Sequence, residues 1–386
     1  MKLNTEQKKA VERSVELKNS MIIGSAGTGK TTIIKSILEQ FAGFKVYLCA
    51  PTGKAAARIK EKTGKFAQTI HRLLGLGEDG VTFHHVDLSG AIVVCDEASM
   101  IDSFLMAKLI AANPMKLILI GDNAQLLPVG AGCPFSDLIN IFPNLATKLT
   151  YCYRNKASVH KASAQIRKGE FPTDGMDDGE IFRFKQSASE AAQNEIIEMY
   201  KNGEMDPTKD IVLAAKYGDE GTPCGIDSLN EEIKNIVNPH NDSRQWKIGD
   251  RVLNCKNFGP QDWWNGDMGT ITAVDTAGIC VNVTPDRQRE DGDIYISEKK
   301  MLKQLKYAWA LSVHKSQGSQ WRKVVFAVPR EHVFMISRSL LYTGVTRAKK
   351  ECLVIGDRKT VYIGLSKNSK KETCLKLIAE KELLGL

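Results

Sequence analysis

Residues 21–31 read Met-Ile-Ile-Gly-Ser-Ala-Gly-Thr-Gly-Lys-Thr, a short apolar run followed by a glycine-rich turn that ends in lysine and threonine. The apolar run predicts a buried strand, and a helix is expected to start near Thr31. Glycine tolerates backbone conformations that turn N–H groups inward, and the helix N-terminus adds a positive dipole end. The order strand, loop, helix therefore predicts a phosphate-binding loop that holds a nucleoside triphosphate.

The residue types in this loop suit the separate parts of magnesium-bound ATP. Lys30 can reach the β- and γ-phosphates, and the Thr31 hydroxyl can ligate Mg²⁺. Thr32 belongs to the same helical turn and is included in the predicted nucleotide site. Backbone N–H groups that surround the phosphates are predicted at three glycines: Gly24, Gly27 and Gly29.

Bulk composition predicts a multi-domain globular chain. With 386 residues, 42% of them hydrophobic and 25% charged, two to three domains are expected. The apolar runs are too short to cross a membrane, and the first twenty residues lack a signal-peptide core. The nine cysteines are scattered singly, which favours reduced, packed thiols over a metal site. We expect a cytoplasmic protein without a membrane partner.

Positive charge is concentrated at the C-terminal end of the chain. Residues 299–386 hold 19 Lys and Arg against 6 Asp and Glu, while the whole chain carries a net charge of +8. Segregated positive charge is typical of proteins that bind a polyanion. A solvated lysine face explains the charge equally well, so charge alone decides nothing.

Short apolar strands alternate with helical stretches along most of the chain, which predicts the α/β class with parallel sheets. The first domain is predicted at 1–145, and the second at 146–247 together with 307–386. A β-hairpin insertion is predicted at 75–90, and closely spaced strands predict a small β-barrel inserted at 248–306. The candidate strands are 21–23, 46–50, 92–95, 117–120, 211–215, 324–328 and 353–355.

Acidic and amide side chains follow two of these strands. Asp96 and Glu97 end the run Ile-Val-Val-Cys, where one carboxylate can hold Mg²⁺ and the next can deprotonate an attacking water. Gln125 follows the strand at 117–120, where its amide can sense a γ-phosphate through a hydrogen bond. A polar loop that merely closes the strand is the simpler interpretation of Gln125.

Further short motifs follow the phosphate loop in a fixed order, among them APTGKAA at 50–56, TIHRLL at 69–74, GDNAQLLPV at 121–129, SVHKSQG at 312–318 and YTGVTRA at 342–348. With LNTEQ at 3–7, DEAS at 96–99 and YCYR at 151–154, the ordered set spans nearly the whole chain. The set resembles that of the superfamily 1 helicases, B branch, of the RecD and Dda type. This resemblance implies two RecA-like motor domains.

The resemblance also implies roles for individual side chains. Gln7 is expected to hydrogen-bond adenine, and Tyr153 to stack on it. Arg154 and Arg347 are expected to act as arginine fingers on the γ-phosphate, because a guanidinium binds phosphate oxygens in a fork. A surface salt bridge is the simpler interpretation of Arg154.

Single-stranded DNA is expected to contact both domains through hydroxyl, imidazole and ammonium groups, which suit phosphates without reading sequence. The implied contacts are Thr52, Lys54, Thr69 and His71 in the first domain and His314, Lys315 and Ser316 in the second. Phe83 in the hairpin is expected to stack on parting bases or else to pack inward. Trp263 and Trp264 fit either a DNA contact or a buried pair.

The implied activity is ATP-dependent unwinding of duplex DNA, with movement from 5′ to 3′ along single-stranded DNA. The implied partners are single-stranded, forked or tailed DNA and replication or recombination proteins, and the active form is expected to be a monomer. A translocase that unwinds poorly, and a DNA-binding factor switched by ATP, remain open alternatives. A nucleotide kinase would not need the motifs of the second half.

Overall fold

The strand ahead of the glycine-rich loop lies inside a six-stranded parallel sheet in the computed structural model, which describes residues 3–76, 86–152, 157–218, 222–240, 245–256, 263–283, 293–368 and 371. The strands of this first sheet are β1 (Asn19–Gly24), β2 (Val46–Ala50), β3 (Ala67–Thr69), β4 (Ile92–Cys95), β5 (Lys116–Gly121) and β6 (Ala146–Leu149). Their order across the sheet is β3-β2-β4-β5-β1-β6, and every pair is parallel.

Both faces of the first sheet are buried, as its unbroken apolar strands require. On β5, Leu117 and Leu119 point into one core, while Ile118 and Ile120 point into the other. Six helices cover the two faces: α1 (Thr5–Glu16), α2 (Lys30–Gln40), α3 (Gly53–Thr63), α4 (Ile70–Leu73), α5 (Ser103–Ala111) and α6 (Pro134–Ile141). The first three supply residues to the core on one face, and the last three to the core on the other.

A second six-stranded sheet follows in the chain. Its strands are β7 (Gly175–Asp177), β8 (Glu180–Gln186), β9 (Ile211–Ala214), β15 (Ala310–Ser312), β16 (Trp321–Val328) and β17 (Ala348–Gly356), in the order β15-β9-β16-β17-β8-β7. All its pairs are parallel except that of β7 with β8. The helices of this unit are α7 (Ser158–Lys168), α8 (Ser189–Lys201), α9 (Ile226–Val237), α10 (Lys299–Leu302), α11 (Arg338–Val345) and α12 (Arg358–Ser366).

Between β9 and β15 the chain forms a five-stranded antiparallel sheet. Its strands are β10 (Arg251–Asn254), β11 (Met268–Val274), β12 (Ile279–Val283), β13 (Ile294–Ile296) and β14 (Leu305–Tyr307), in the order β13-β12-β11-β10-β14. It has its own apolar core, which contains Trp246, Trp263 and Ile271. This sheet occupies the place where a small barrel is predicted, and closure into a barrel stays a prediction.

The chain divides into two compact units, residues 1–155 with 369–386 and residues 156–368. The predicted boundary after residue 145 is wrong, because β6 pairs with β1 as the sixth strand of the first sheet. The predicted hairpin at 75–90 lies largely outside the described residues. None of the helices in the described part of the chain is long and apolar enough to cross a membrane.

Candidate active site

The predicted catalytic residues of the first unit meet because the strands that carry them are parallel neighbours. β4, β5 and β1 lie side by side, so their carboxyl ends share one edge of the sheet. The acids follow β4, Gln125 follows β5, and the phosphate loop follows β1. At such an edge an α/β sheet places its ligands.

The phosphate loop has the backbone that its glycines allow. Gly27 and Gly29 have φ angles of 83° and 81°, which place both in the left-handed region. A Cβ atom at Gly24 would lie 2.4 Å from the Thr28 Oγ1 atom. Gly29 is the N-cap of α2, so the helix begins at Lys30, one residue before the predicted start. The three glycines are therefore required by the shape of the loop.

Lys30 lies over the loop with its ammonium group turned inward. Its Nζ atom donates to the backbone oxygens of Gly24 at 2.6 Å and Ser25 at 3.2 Å. Thr31 and Thr32 are half-buried in the first turn of α2. The ammonium charge and the first turn of the helix are thus held at the end of β1, where the nucleotide phosphates are predicted.

Asp96 and Glu97 form a crowded pair of carboxylates beside the loop. Asp96 is 9% exposed and accepts a hydrogen bond from the Glu97 N–H at 2.8 Å. Burial, and then the charge of Glu97, raise the pKa of Asp96 to about 6, whereas the charge of Lys30 lowers it. Lys30 is therefore close enough to act electrostatically on the acids, as the predicted site requires.

Glu97 has two features that its packing alone does not explain. Its φ angle is 52°, which is uncommon for a residue with a side chain. Its Oε2 atom is buried and has no hydrogen-bond partner among the described residues. Strained backbone and an unpaired buried oxygen are typical of a side chain that is held for a reaction rather than for stability.

These carboxylates fit a divalent cation. Mg²⁺ prefers oxygen ligands and binds through one or two protein groups together with waters and phosphate oxygens. Asp96 and Thr31 can supply those protein oxygens. A cation would also relieve the repulsion that raises the pKa of Asp96.

Gln125 lies in the turn after β5 and is 5% exposed. Its N–H donates to the Asp122 carbonyl at 3.2 Å, and the Asp122 carboxylate accepts from Ala124 N–H at 3.1 Å. The turn is therefore held by its own hydrogen bonds, and Gln125 follows β5 at the carboxyl edge of the sheet. Its role as a phosphate sensor stays a prediction.

Gln7 holds the phosphate loop from behind. Its side chain is 2% exposed, and its Nε2 atom donates to the Thr28 carbonyl at 3.1 Å. Its Oε1 atom accepts from the Asn4 N–H at 3.1 Å, as part of the capping box of α1. The amide is thus committed to positioning the loop, and the predicted contact with adenine is not tested.

Glu6 is a site residue that the sequence does not reveal. Its carboxylate accepts hydrogen bonds from the backbone N–H groups of Thr150 at 2.7 Å and Tyr151 at 2.9 Å, and from the Thr150 hydroxyl. The Cys152 thiol lies 3.6 Å from the Ala26 carbonyl. The segment that leads to Tyr153 and Arg154 is therefore anchored to α1 and to the phosphate loop. Tyr153 and Arg154 themselves, like Phe83, lie outside the described residues.

The predicted DNA contacts of the first unit continue along the same sheet edge. Thr52 is the N-cap of α3 after β2, and Thr69 is the N-cap of α4 after β3. Each hydroxyl oxygen accepts a backbone hydrogen bond, and its hydrogen can still be donated to a phosphate. Lys54 is half-buried and His71 is exposed. Burial lowers the pKa of His71, and the charge of Asp102 opposes that shift.

Arg347 is buried within the second unit, at 3% exposure. Its guanidinium donates to the Thr343 carbonyl at 3.0 Å, the Ser319 carbonyl at 3.3 Å and the Thr346 hydroxyl at 3.2 Å. In this arrangement it ties α11 to the loop before β16. To bind a phosphate, the guanidinium would have to exchange some of these bonds.

The predicted contacts at 314–316 differ in their accessibility. His314 is exposed, and partial burial lowers the pKa of its imidazole. Lys315 is half-buried and donates from Nζ to the Asn265 side chain in the turn before β11. Ser316 is 0% exposed, and its hydroxyl donates to the Val313 carbonyl at 2.7 Å. The Ser316 side chain therefore closes a turn and would have to leave that bond to contact DNA, so its role as a DNA contact stays a prediction.

The structure answers for one of two tryptophans whose role the sequence leaves open. Trp263 is 0% exposed in the core of the antiparallel sheet, so it is a packing residue. Trp264 is half-buried.

Comparison with known proteins agrees with this arrangement. Residues 2–186 match the AAA domain family, and residues 307–355 match the UvrD-like helicase C-terminal domain. The chain is 31% identical over 359 residues to the ATP-dependent RecD2 DNA helicase of Deinococcus radiodurans, covering 90% of this chain and 48% of that protein. It is 28% identical over 432 residues to the RecBCD enzyme subunit RecD of Mycolicibacterium smegmatis, covering 96% of this chain and 74% of that subunit. The chain therefore spans about half the length of the first relative and about three quarters of the second.

Solved Pif1 helicases share the fold. A Pif1 structure described for unwinding at forked double-stranded DNA matches with a TM-score of 0.56 at 18% identity, covering 100% of this chain and 98% of that one. Bacteroides Pif1 bound to single-stranded DNA matches with a TM-score of 0.55 at 17% identity, covering 99% and 97%. Identities this low establish the fold alone.

Proposed function

We propose that this chain is a superfamily 1 helicase of the B branch, of the RecD type, and that it is an ATP-driven motor that moves 5′ to 3′ on single-stranded DNA and unwinds duplexes. The observation that carries the proposal is the carboxyl edge of the first sheet. There the phosphate loop, the acid pair and Gln125 share one sheet edge with Thr52 and Thr69, which are two of the predicted DNA contacts. The residues predicted to act on the nucleotide and those predicted to contact DNA therefore lie at one edge of the sheet.

The catalytic roles follow from this geometry. Lys30 binds the β- and γ-phosphates, and Glu97 accepts a proton from the attacking water. When bound, Mg²⁺ would be held by Thr31 and Asp96 and would neutralise phosphate charge. Because the phosphate loop, the acids and the polymer contacts follow strands of the same sheet edge, a change at the nucleotide has a short path to the bound strand.

The DNA contacts available here do not read bases. Hydroxyl, imidazole and ammonium groups at the strand ends suit phosphate oxygens. We therefore propose single-stranded and tailed or forked DNA as the substrate class, without sequence preference. Binding should weaken steeply as salt rises, because phosphate contacts release counterions.

The deciding experiment measures ATP hydrolysis and strand separation together. Duplexes that carry a 5′ tail or a 3′ tail are mixed with the protein and ATP, with Lys30→Ala as the inactive control. The proposal expects ATPase activity that single-stranded DNA stimulates and unwinding of the 5′-tailed duplex. Unwinding of the 3′-tailed duplex alone would contradict the direction, whereas stimulated ATPase without unwinding would favour the translocase.

A DNA-binding factor switched by ATP would show nucleotide-dependent affinity without sustained turnover. The steady-state rate at saturating DNA therefore separates it from a motor. A monomeric active form, replication or recombination partners and a cytoplasmic location stay predictions.

A further inference from the structure

Phe66 is a large apolar side chain that is exposed to solvent. It is 63% exposed and directly precedes β3, the edge strand of the first sheet among the described residues. Its neighbour Ala67 packs against a core of that sheet, whereas Phe66 does not belong to either core cluster. Exposing a phenylalanine gives up the free energy that its burial would supply, but single exposed apolar side chains are common, so the case for a ligand rests on what surrounds this ring.

The ring of Phe66 is paired with a cation. The guanidinium carbon of Arg72 lies 6.0 Å from the centre of the ring, within the range of a cation–π contact. Arg72 is itself exposed, and its backbone N–H is capped by Thr69. The planar guanidinium and the planar ring are therefore exposed side by side. The guanidinium can bind a phosphate or stack on a base, and the ring can stack on a base.

The surroundings of this pair are positively charged. Lys60 and Lys62 lie in the last turn of α3, and the chain returns to β3 through Lys65. All three lysines are exposed. Along β3 the distance from Phe66 to Thr69 is about 10 Å, since a strand rises ~3.3 Å per residue. The ring therefore lies close to the predicted phosphate contacts, in a field that attracts a polyanion.

A second exposed phenylalanine of the same unit shows the contrast. Phe44 is 58% exposed, but its ring packs edge-on against the buried core ring of Phe41 at 6.1 Å. Given the pairing of β2 with β3, Phe44 lies about 20 Å from the end of β2, twice as far from the catalytic edge as Phe66. Phe44 is thus accounted for by packing, and Phe66 is not.

We propose that Phe66 and Arg72 form a base-stacking site for single-stranded DNA, in which one base lies on the Phe66 ring while Arg72 holds the ring and the adjoining phosphate. The inference rests on the proposed function. It adds a contact with the bases to a surface whose other predicted contacts, among the described residues, reach only the backbone. Stacking tolerates every base, so the site would not confer sequence preference.

The test is binding of the full chain, without nucleotide, to two fluorescent oligonucleotides of equal length. One is ordinary single-stranded DNA, and the other carries abasic residues at every internal position. Phe66→Ala should weaken binding to the ordinary strand roughly 5- to 100-fold, as for other aromatic platforms, and binding to the abasic strand by less than about twofold. Phe66→Trp should restore affinity, because indole also stacks.

Two further variants separate stacking from charge and from general surface effects. Arg72→Ala should weaken binding to both strands, because it also removes a phosphate contact, and Phe44→Ala should change neither. An equal loss on both strands for Phe66→Ala, or no loss on either, would overturn the stacking site. Failure of the unaltered chain to bind either strand would instead overturn the proposed function, and the inference with it. Thermal unfolding of each variant confirms that the comparison is between folded proteins.

Discussion

The functional side chains at the carboxyl edge of the first sheet differ in their hydrogen bonding from those in the motif loops of the second unit. At the first edge, Glu97 keeps a buried oxygen that has no hydrogen-bond partner among the described residues, and Lys30 rests on two loop carbonyls. In the second unit, Arg347 donates to three internal acceptors and Ser316 closes a turn. The first region is thus preorganised for a ligand, whereas the second is satisfied by its own bonds.

This difference indicates where conformational change is needed for activity. A side-chain oxygen that has no hydrogen-bond partner can bind a ligand without first losing another hydrogen bond. A buried guanidinium with three bonds must lose some of them first, so its engagement depends on a rearrangement that a ligand can drive. We therefore expect nucleotide binding to be set by the first unit and turnover by both.

The largest effect is expected from Arg347→Ala. If Arg347 acts as an arginine finger, ATP turnover should fall roughly 10³- to 10⁵-fold with little change in nucleotide affinity. Three acceptors lose their donor as well, so the free energy of unfolding should fall by about 2–5 kcal/mol. Steady-state ATPase and thermal unfolding are measured on the same samples, with Arg347→Lys as the charge-preserving control. Lost stability with normal turnover would show that the residue is only structural.

Glu97→Gln should lower ATP turnover about 10²- to 10⁴-fold, because the amide cannot accept a proton from water. Nucleotide affinity should be retained, since the amide keeps the shape of the side chain and removes one of two crowded charges. Binding of a fluorescent nucleotide and single-turnover hydrolysis measure the two properties separately. If affinity collapses while turnover persists, Glu97 is structural and the contrast between the two regions fails.

Lys30→Ala should reduce ATP hydrolysis about 10²- to 10³-fold, because it removes the charge that holds the β- and γ-phosphates. The hydrogen bonds that Lys30 donates go to carbonyls of its own loop, so thermal stability should change by much less than for Arg347→Ala. DNA binding without nucleotide should stay nearly normal. DNA-stimulated hydrolysis above a few per cent of the original rate would contradict the assignment of the loop.

The smallest effects are expected from a matched pair in the second unit. His314→Ala should weaken binding of single-stranded DNA by roughly 2- to 10-fold, the value of one hydrogen bond. Ser316→Ala should leave that affinity unchanged and lower the free energy of unfolding by about 1 kcal/mol, because the Val313 carbonyl loses its donor. Titration of labelled DNA and urea unfolding check both. A larger loss of affinity for Ser316→Ala would identify it as a DNA contact.

Much of the first unit could be predicted from the chain alone because its signals are local. The seven candidate strands lie within strands of the two parallel sheets, apart from residue 215, which follows the end of β9. Gly27 and Gly29 have the left-handed backbone that a phosphate loop needs. Once strands are known to be parallel, residues after their carboxyl ends must meet at one edge, so Asp96, Glu97 and Gln125 could be grouped without a structure.

The remaining features depend on pairs that are distant in the chain. Glu6 and Thr150 are separated by 144 residues, and Lys315 and Asn265 by 50. Such pairs form only when strands and helices from separate segments pack together, and neither residue of a pair has a local pattern that reveals the other. The same holds for the position of β6, which local spacing assigns to the wrong domain.

The sequence by itself predicted the family, the sheet class and the candidate nucleotide residues, because glycine conformation, apolar periodicity and motif order are properties of short segments. Only the tertiary structure decided which of the proposed side chains are accessible. Packing buries the side chains of Ser316 and Trp263 and leaves that of Phe66 exposed. It also pairs the Arg347 guanidinium with internal acceptors. The physical reason is that the solvent accessibility of a side chain depends on tertiary packing. Segments distant in the chain bring the groups that cover a side chain or form hydrogen bonds with it.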